Sequence, residues 1–436
     1  MRAELHYISR TTLVMMMMTA LSASATQAAE PRYDLLLKGG HVIDAKNGVS
    51  AVRDVAIAGG TVAAVAETIA SEEAFKTVDV SGLYVTPGLV DIHVHVYTGT
   101  GERGSYAGDN SVYPDGFTYR SGVTTVVDAG GSGWRNFEHF RQTIIRRSKT
   151  RVLAFLNIVG HGMRGELYEQ DLDDMDAGPT AELAARHKSV IVGIKTAHYR
   201  SPEWLPVERA VEAGTRAGIP VMVDFGDNKP ERPLADLLTK KLRPGDILTH
   251  CYSGLRDEID ASGKVNPGMW EGRERGVIFD VGHGGGSFFW KIAVPATKQG
   301  FWPDSISTDL HVGSMNSGMK DQTNVMSKFL ALGMSLDDVV ARSTWNPARE
   351  IGHEELGHLS VGAPADVAVL KLETGTFGFA DAHGARLDGT QKLICELTVH
   401  HGKVVYDLNG ISRPAWESLP ADYKQIGDPR WDAIER

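Results

Sequence analysis

The chain has 436 residues, 42% of them hydrophobic and 23% charged, with a formal net charge of -10. That length exceeds one small core and predicts a large domain with a smaller companion. The acidic balance and the lack of a long basic run exclude a nucleic-acid partner, and two cysteines, Cys251 and Cys395, are too few for a disulfide framework or a zinc finger.

Arg2 and Arg10 flank the start of the chain, and residues 11–21 are mostly apolar and include Met15 to Met18. Small residues follow at Ala23-Ser24-Ala25 and Ala28-Ala29. This pattern predicts a cleavable export signal over residues 1–29. Its apolar run of about eleven residues is too short to span a bilayer. The expectation is an exported protein, periplasmic in a bacterium, with no stable membrane insertion after cleavage.

Residues 34–44 place two apolar runs around Gly39-Gly40, and residues 54–65 do the same around Gly59-Gly60, both hairpin signals. Short strands near glycines return at residues 365–370 and 404–407. A small β-sandwich built from both chain ends, residues 30–86 and 351–436 with a C-terminal tail, accounts for both groups. Between them, residues 87–350 alternate apolar strand and helix signals, with helices expected over 134–147 and 206–217. Eight apolar runs end near His93-His95, Asp128, Asn157, Lys195, Asp224, His250, Gly282 and Asp309. The fold class is therefore α/β, a (β/α)8 TIM-like barrel with an added β-sandwich.

A barrel of this kind gathers its chemistry where the strands end. In Leu89-Val90-Asp91-Ile92-His93-Val94-His95, residues two apart face one side, so both histidines can meet one metal. Lys195 closes Val190-Ile191-Val192-Gly193-Ile194. A lysine there is costly unless it is paired with a carboxylate or altered. As a neutral amine it can add carbon dioxide to give a carbamate that bridges two metals. Lys195, Asp224, His250, His283 and Asp309 follow one another at 29, 26, 33 and 26 residues, steps that fit one strand–helix unit each. His161, His198, Tyr199 and Arg200 follow two earlier strands and are candidate pocket residues, with Arg200 suited to a substrate carboxylate. His283, in the glycine-rich stretch 282–287, is a candidate donor to substrate, whereas His311 and His358 read as structural. The glycine-rich loop 98–108 is placed to cover the site.

The stretches Pro87 to His95, Gly193-Ile194-Lys195, Leu248-Thr249-His250-Cys251, Phe279 to Phe288 and Ser307-Thr308-Asp309-Leu310-His311 resemble the amidohydrolase superfamily, specifically its dihydroorotase-like amidohydrolase/deacetylase branch. Asn346-Pro347-Ala348 and residues 357–366 resemble its junction between barrel and β domain. The resemblance implies two divalent ions, zinc by donor type. His93, His95 and Asp309 hold one, His250 and Asp224 the other, and carboxylated Lys195 bridges them. One metal is implied if Asp224 does not ligate; many relatives carry a histidine at that place. The implied activity is hydrolysis of an amide or ester, foremost deacylation of an N-acyl or O-acetyl small molecule, by metal-activated hydroxide with Asp309 as general acid and base. Cyclic amide or imide hydrolysis and a dipeptidase activity are the alternatives. Dihydroorotases usually carry an arginine two residues past the His-x-His, where this chain has Tyr97. A non-catalytic binding protein on the same fold is the reading outside enzymology, opposed by the presence of His93, His95, Lys195, His250 and Asp309. The partner expected is a small-molecule substrate, with homo-oligomerisation left open.

Overall fold

The computed structural model describes residues 31–224, 226–421 and 423. The expected export signal lies outside the described residues.

The first half of the small domain comprises β1 (Leu35–Asp44), β2 (Val49–Ala58), β3 (Thr61–Ala66), β4 (Thr77–Asp79) and β5 (Tyr84–Pro87). The turn between β2 and β3 is Gly59-Gly60, with φ of 56° and 77°, a pair that residues with a Cβ rarely adopt. Near the C-terminus come three further strands, numbered β13 to β15 because the seven barrel strands β6 to β12 lie between. They are β13 (Val367–Ala380), β14 (Arg386–His400) and β15 (Lys403–Asp407). All eight join one mixed sheet in the order β15-β14-β13-β5-β1-β2-β3, with β4 beside β1. Leu35, Leu37, Val55, Ile57, Val85, Val367, Val369, Leu397 and Val399 alternate along these strands and share one buried cluster. β13 is longer than the run at residues 365–370 predicts, and β14 has no counterpart among the predicted strands. Their hairpin runs beyond the small domain onto the barrel, where Trp290 Nε1 donates to the Phe379 carbonyl at 3.0 Å and Leu393 N to Ser327 Oγ at 2.9 Å.

The barrel strands are β6 (Leu89–Val94), β7 (Val123–Gly133), β8 (Arg151–Asn157), β9 (Ile191–Thr196), β10 (Val221–Val223), β11 (Ile247–Leu248) and β12 (Ile278–Phe279). They pair in parallel and in sequential order. Residues 305–310 close the circle through the parallel bridges Asp280–Ser305 and Val94–Leu310. Every residue of β6 and β7 is buried, as expected for strands covered on both faces. Side chains on one face of these strands, among them Val94, Val126, Ile194 and Val223, pack against the helices. Those of the other face, Val90, Ile92, Val127, Phe155, Val192 and Met222, form a separate cluster within the barrel.

The helix expected over 206–217 spans Leu205–Ala217. The one expected over 134–147 is only a short turn, Phe137–Phe140, followed by a π-helical turn, Arg141–Ile145. At the junction of the domains Arg151 Nη1 meets Asp366 Oδ2 at 2.5 Å and His400 Nδ1 meets Asp366 Oδ1 at 2.9 Å. Among the described residues no helix is long and apolar enough to cross a membrane.

Candidate metal centre

Polar side chains gather where the barrel strands end. His93, His95, Lys195, Asp224, His250 and Asp309 all line one cavity of about 360 Å³. The chain reaches these positions through unusual backbone. Six non-glycine residues among those described have left-handed φ, and three of them, His198 (59°), His250 (61°) and Asp309 (53°), border this cavity. Such conformations persist only where the surroundings impose them, and they concentrate at functional sites.

Hydrogen bonds fix the imidazole tautomers. His93 Nδ1 lies 2.8 Å from Thr249 Oγ1, and that hydroxyl donates to Asp280 Oδ2 at 2.7 Å. The threonine oxygen is left to accept, so His93 carries its proton on Nδ1 and presents a bare Nε2. His250 Nδ1 lies 2.5 Å from the Gly282 carbonyl, which only accepts, so His250 also carries a proton on Nδ1 and turns Nε2 to the cavity. These Nε2 atoms face carboxylates. His93 Nε2 is 3.7 Å from Asp309 Oδ1, and His250 Nε2 is 3.5 Å from Asp224 Oδ2. Each of these pairs needs a proton or a metal cation between its two atoms. Asp309 Oδ1 is buried, makes no hydrogen bond and lies 3.1 Å from His95 Nε2.

The spacing carries the same message. Two donors on one four-coordinate zinc, each about 2.0–2.1 Å from it, are roughly 3.4 Å apart. The separations given above run from 3.1 to 3.7 Å. His93, His250 and Asp309 offer ligand atoms that all lie within 4.8 Å of one another. This donor set fits a divalent cation.

Burial lowers the Lys195 amine from its usual range, while Asp224, Asp309 and Asp280 pull the other way. Among the described residues no carboxylate pairs with it, and its contact is the His93 nitrogen. Burial also pushes His93 down to about 3, with Lys195 adding to the effect. Burial works against the Asp309 charge, but His93, His95 and His311 hold the carboxyl well below the usual range. Asp224 is likewise held low against burial by His250, His198 and Arg256. Burial disfavours the His198 cation, yet Asp224 and Glu169 together raise its pKa to about 10.

The glycine-rich stretch serves the site by leaving room. At Gly284 (φ 59°) a Cβ would fall 2.4 Å from Asp309 Oδ2. His283 turns away: it is stacked on Phe288, and its Nε2 lies 2.5 Å from Lys328 Nζ. It does not line the cavity, because burial in the layer behind the strands, against Phe288 and Lys328, claims its ring. His161 packs on Tyr168 and is also absent from the wall. Tyr199 and Arg200 line a second cavity of about 610 Å³, which shares Tyr106, Met163, His198 and Gly226 with the first. Tyr97 is buried, with its hydroxyl 2.9 Å from His139 Nδ1 and its ring on Phe140, away from the cavity.

Several site residues were not anticipated. Arg256, fully buried, reaches Asp224 Oδ1 at 2.6 Å and also donates to the carbonyls of Gly226, Thr249 and His250. Tyr106, from the loop after the His-x-His, lies over His95 with ring centroids 4.3 Å apart. His311, expected to be structural, lines the cavity. Its Nδ1 accepts from Gly313 N at 3.1 Å and Ser314 N at 3.3 Å, so its proton sits on Nε2. Its spacing from Asp309 repeats that of His93 and His95, a signal present in the sequence.

The sequence profile of the amidohydrolase family matches residues 258–406. A deacetylase of Brucella anthropi is 34% identical over 338 residues, 74% of this chain and 80% of that protein. The chain belongs to the amidohydrolase family. A deacetylase of Enterococcus faecalis is 30% identical over 81% of this chain and 93% of its own length. Among solved amidohydrolase structures, one described as an adenine deaminase superposes with a TM-score of 0.78 at 29% identity, covering 86% of this chain and all of that one. A dihydroorotase superposes at 0.73 with 30% identity over 86% of this chain and 99% of its own. As an amidohydrolase the chain is a metal-dependent hydrolase acting on C–N bonds.

Proposed function

We propose that this amidohydrolase removes the acyl group from an N-acyl or O-acetyl small molecule outside the cytoplasm, and that its metal is zinc. The observation that carries the reading is the buried, unpartnered Asp309 Oδ1, faced by His93 and His95 nitrogens at ligand spacing. Relatives named deacetylases support the choice of acyl transfer to water, and Tyr97, turned into the helix layer, argues against a dihydroorotase-like carboxylate grip.

His93, His95 and Asp309 would hold one ion and His250 with Asp224 a second. Lys195, as a neutral amine, would add carbon dioxide, lose a proton and contribute carbamate oxygens between them. A bound divalent ion supplies Lewis acidity and a water that ionises near neutral pH. Asp309 would stand beside the metal-bound water, so it would take the proton of that water and deliver it to the leaving nitrogen or oxygen. The absence of a side chain at Gly284 leaves its Oδ2 free for that transfer. His311 presents Nε2–H to the cavity and donates to the acyl oxygen as charge develops there. The Tyr106 ring over His95 shields the reacting atoms from bulk water.

The test is a turnover screen of the zinc-loaded protein on N-acetyl amino acids of both hands, acetyl esters and cyclic imides. Release of acetate is expected. Turnover of cyclic imides with none of any acyl substrate overturns the reading. Residues 1–29, read as an export signal, should direct a fused reporter to the periplasm.

A further inference from the structure

Glu169 and His198 form a pair that the ligand set above leaves unused. His198 Nδ1 lies 2.5 Å from Glu169 Oε2, and a carboxylate only accepts, so that nitrogen carries the proton. The remaining nitrogen, Nε2, lies 3.4 Å from Asp224 Oδ2. Each feature repeats one found at His250. Both residues leave their strands in left-handed backbone, at φ 59° and 61°. Both have Nδ1 tied to an acceptor at 2.5 Å. Both aim Nε2 at the same carboxylate oxygen, at 3.4 and 3.5 Å, the edge expected between two donors on one four-coordinate cation.

The rest of Asp224 explains why a further donor is needed there. Its Oδ1 is committed to Arg256 at 2.6 Å, so it offers one oxygen rather than two. Imidazole ligands of metals typically hand their far N–H to a carboxylate, which fixes the ring and raises its basicity. Glu169, with 5% side-chain exposure, is such a carboxylate, and it has no other evident reason to be buried at the barrel mouth.

We infer that His198 is a metal ligand of this centre, sharing with Asp224 Oδ2 the cation on the Asp224 side, and that Glu169 is the carboxylate that orients it. The assignment rests on the metal-hydrolase reading above. It moves His198 from the substrate wall to the metal and makes the second half of the centre a site of His198, Asp224 and His250.

The experiment is metal stoichiometry and competition with a chromophoric chelator, using Zn²⁺ alone on the purified full chain and its variants. His198→Ala should hold about one ion fewer than the wild type or bind it at least about 100-fold more weakly. Glu169→Gln should weaken it by about 10–100-fold. His353→Ala is the control, because His353 Nδ1 also meets a carboxylate, Glu355, at 2.6 Å but on the surface. Its metal binding should equal that of the wild type. Wild-type stoichiometry and affinity in His198→Ala overturn the assignment. If that variant does not fold, unchanged affinity in Glu169→Gln overturns it instead. Acetate release by the wild type is scored separately. Its absence, with metal binding still sensitive to His198, defeats the deacylase reading alone; its presence, with metal binding indifferent to His198, defeats the ligand alone.

Discussion

The two sides of the cavity treat their carboxylates differently. Asp309 faces histidines at ligand spacing and leaves Oδ1 buried without a hydrogen bond. Asp224 has Oδ1 fixed by a buried arginine and only Oδ2 open towards His198 and His250. The first side is charge-unbalanced without a cation. The second carries part of its compensation in the fold. The first should therefore hold its ion more tightly, and chelation should remove the ion of the Asp224 side first. Two zinc ions leaving at one chelator concentration would erase the distinction.

The largest effects fall on the two carboxylates. Asp309→Asn removes the proton carrier and one ligand together, and turnover should fall by about 10³-fold or more while the barrel stays folded. Steady-state rates with a thermal melt on the same sample check this. Arg256→Met should act on stability instead. It leaves the Asp224 charge buried without its partner, at a cost of about 3–5 kcal/mol, read by urea unfolding. The double variant Asp224→Asn/Arg256→Met should recover part of that loss, since neither charge remains. A double variant no more stable than Arg256→Met would mean that the arginine serves the carbonyls of Gly226, Thr249 and His250 rather than Asp224.

The side built on Asp309 was the more legible in the sequence. Its residues sit on or directly after apolar runs, and His93-x-His95 declares its facing by the two-residue period of a strand. The same rule applied to Asp309-Leu310-His311 would have brought His311 into the site. The Asp224 side depends on what leaves the strands. Arg256 comes from a loop and Glu169 ends a single helical turn, Glu166–Glu169, both too short to report direction by periodicity, and only the closed barrel shows them converging. His283 misled for a related reason. A histidine among glycines suggests close approach to a ligand, yet Gly282 and Gly284 make room for Thr249 and Asp309, and the ring is held by Phe288 and Lys328. Fold class was clear from eight apolar runs, but the length of β13 and the existence of β14 were not, because their outer halves are largely exposed and lack a continuous apolar signal.

His311 gives a smaller and more discriminating prediction, because two substitutions separate its two nitrogens. Asparagine places an acceptor where Nδ1 caps the turn and loses the donor into the cavity. Glutamine reaches the Nε2 position with an N–H and loses the cap. His311→Asn should keep the melting temperature within a few degrees and lower kcat by about 10²-fold with KM little changed. His311→Gln should melt lower yet retain more activity. The opposite ranking would make His311 a cap and nothing more.

The smallest effect compares the buried cations behind the two sides. Arg256 meets the Asp224 carboxylate. Lys328 meets the neutral ring of His283 and the Gly318 carbonyl, and burial brings it down to about 7. Between that value and its unfolded pKa near 10.4, the unfolded chain binds the proton that the folded chain releases. Stability should therefore rise with pH across this window, by at most about 1.4 kcal/mol per unit, and the contribution should flatten below pH 7. Urea unfolding of the wild type at pH 7 and 9, beside Lys328→Met, isolates the slope, since the methionine variant lacks the titrating group. Equal slopes in the two proteins would mean that Lys328 keeps its proton in the fold, and that the Asp309 side too is backed by a permanent positive charge.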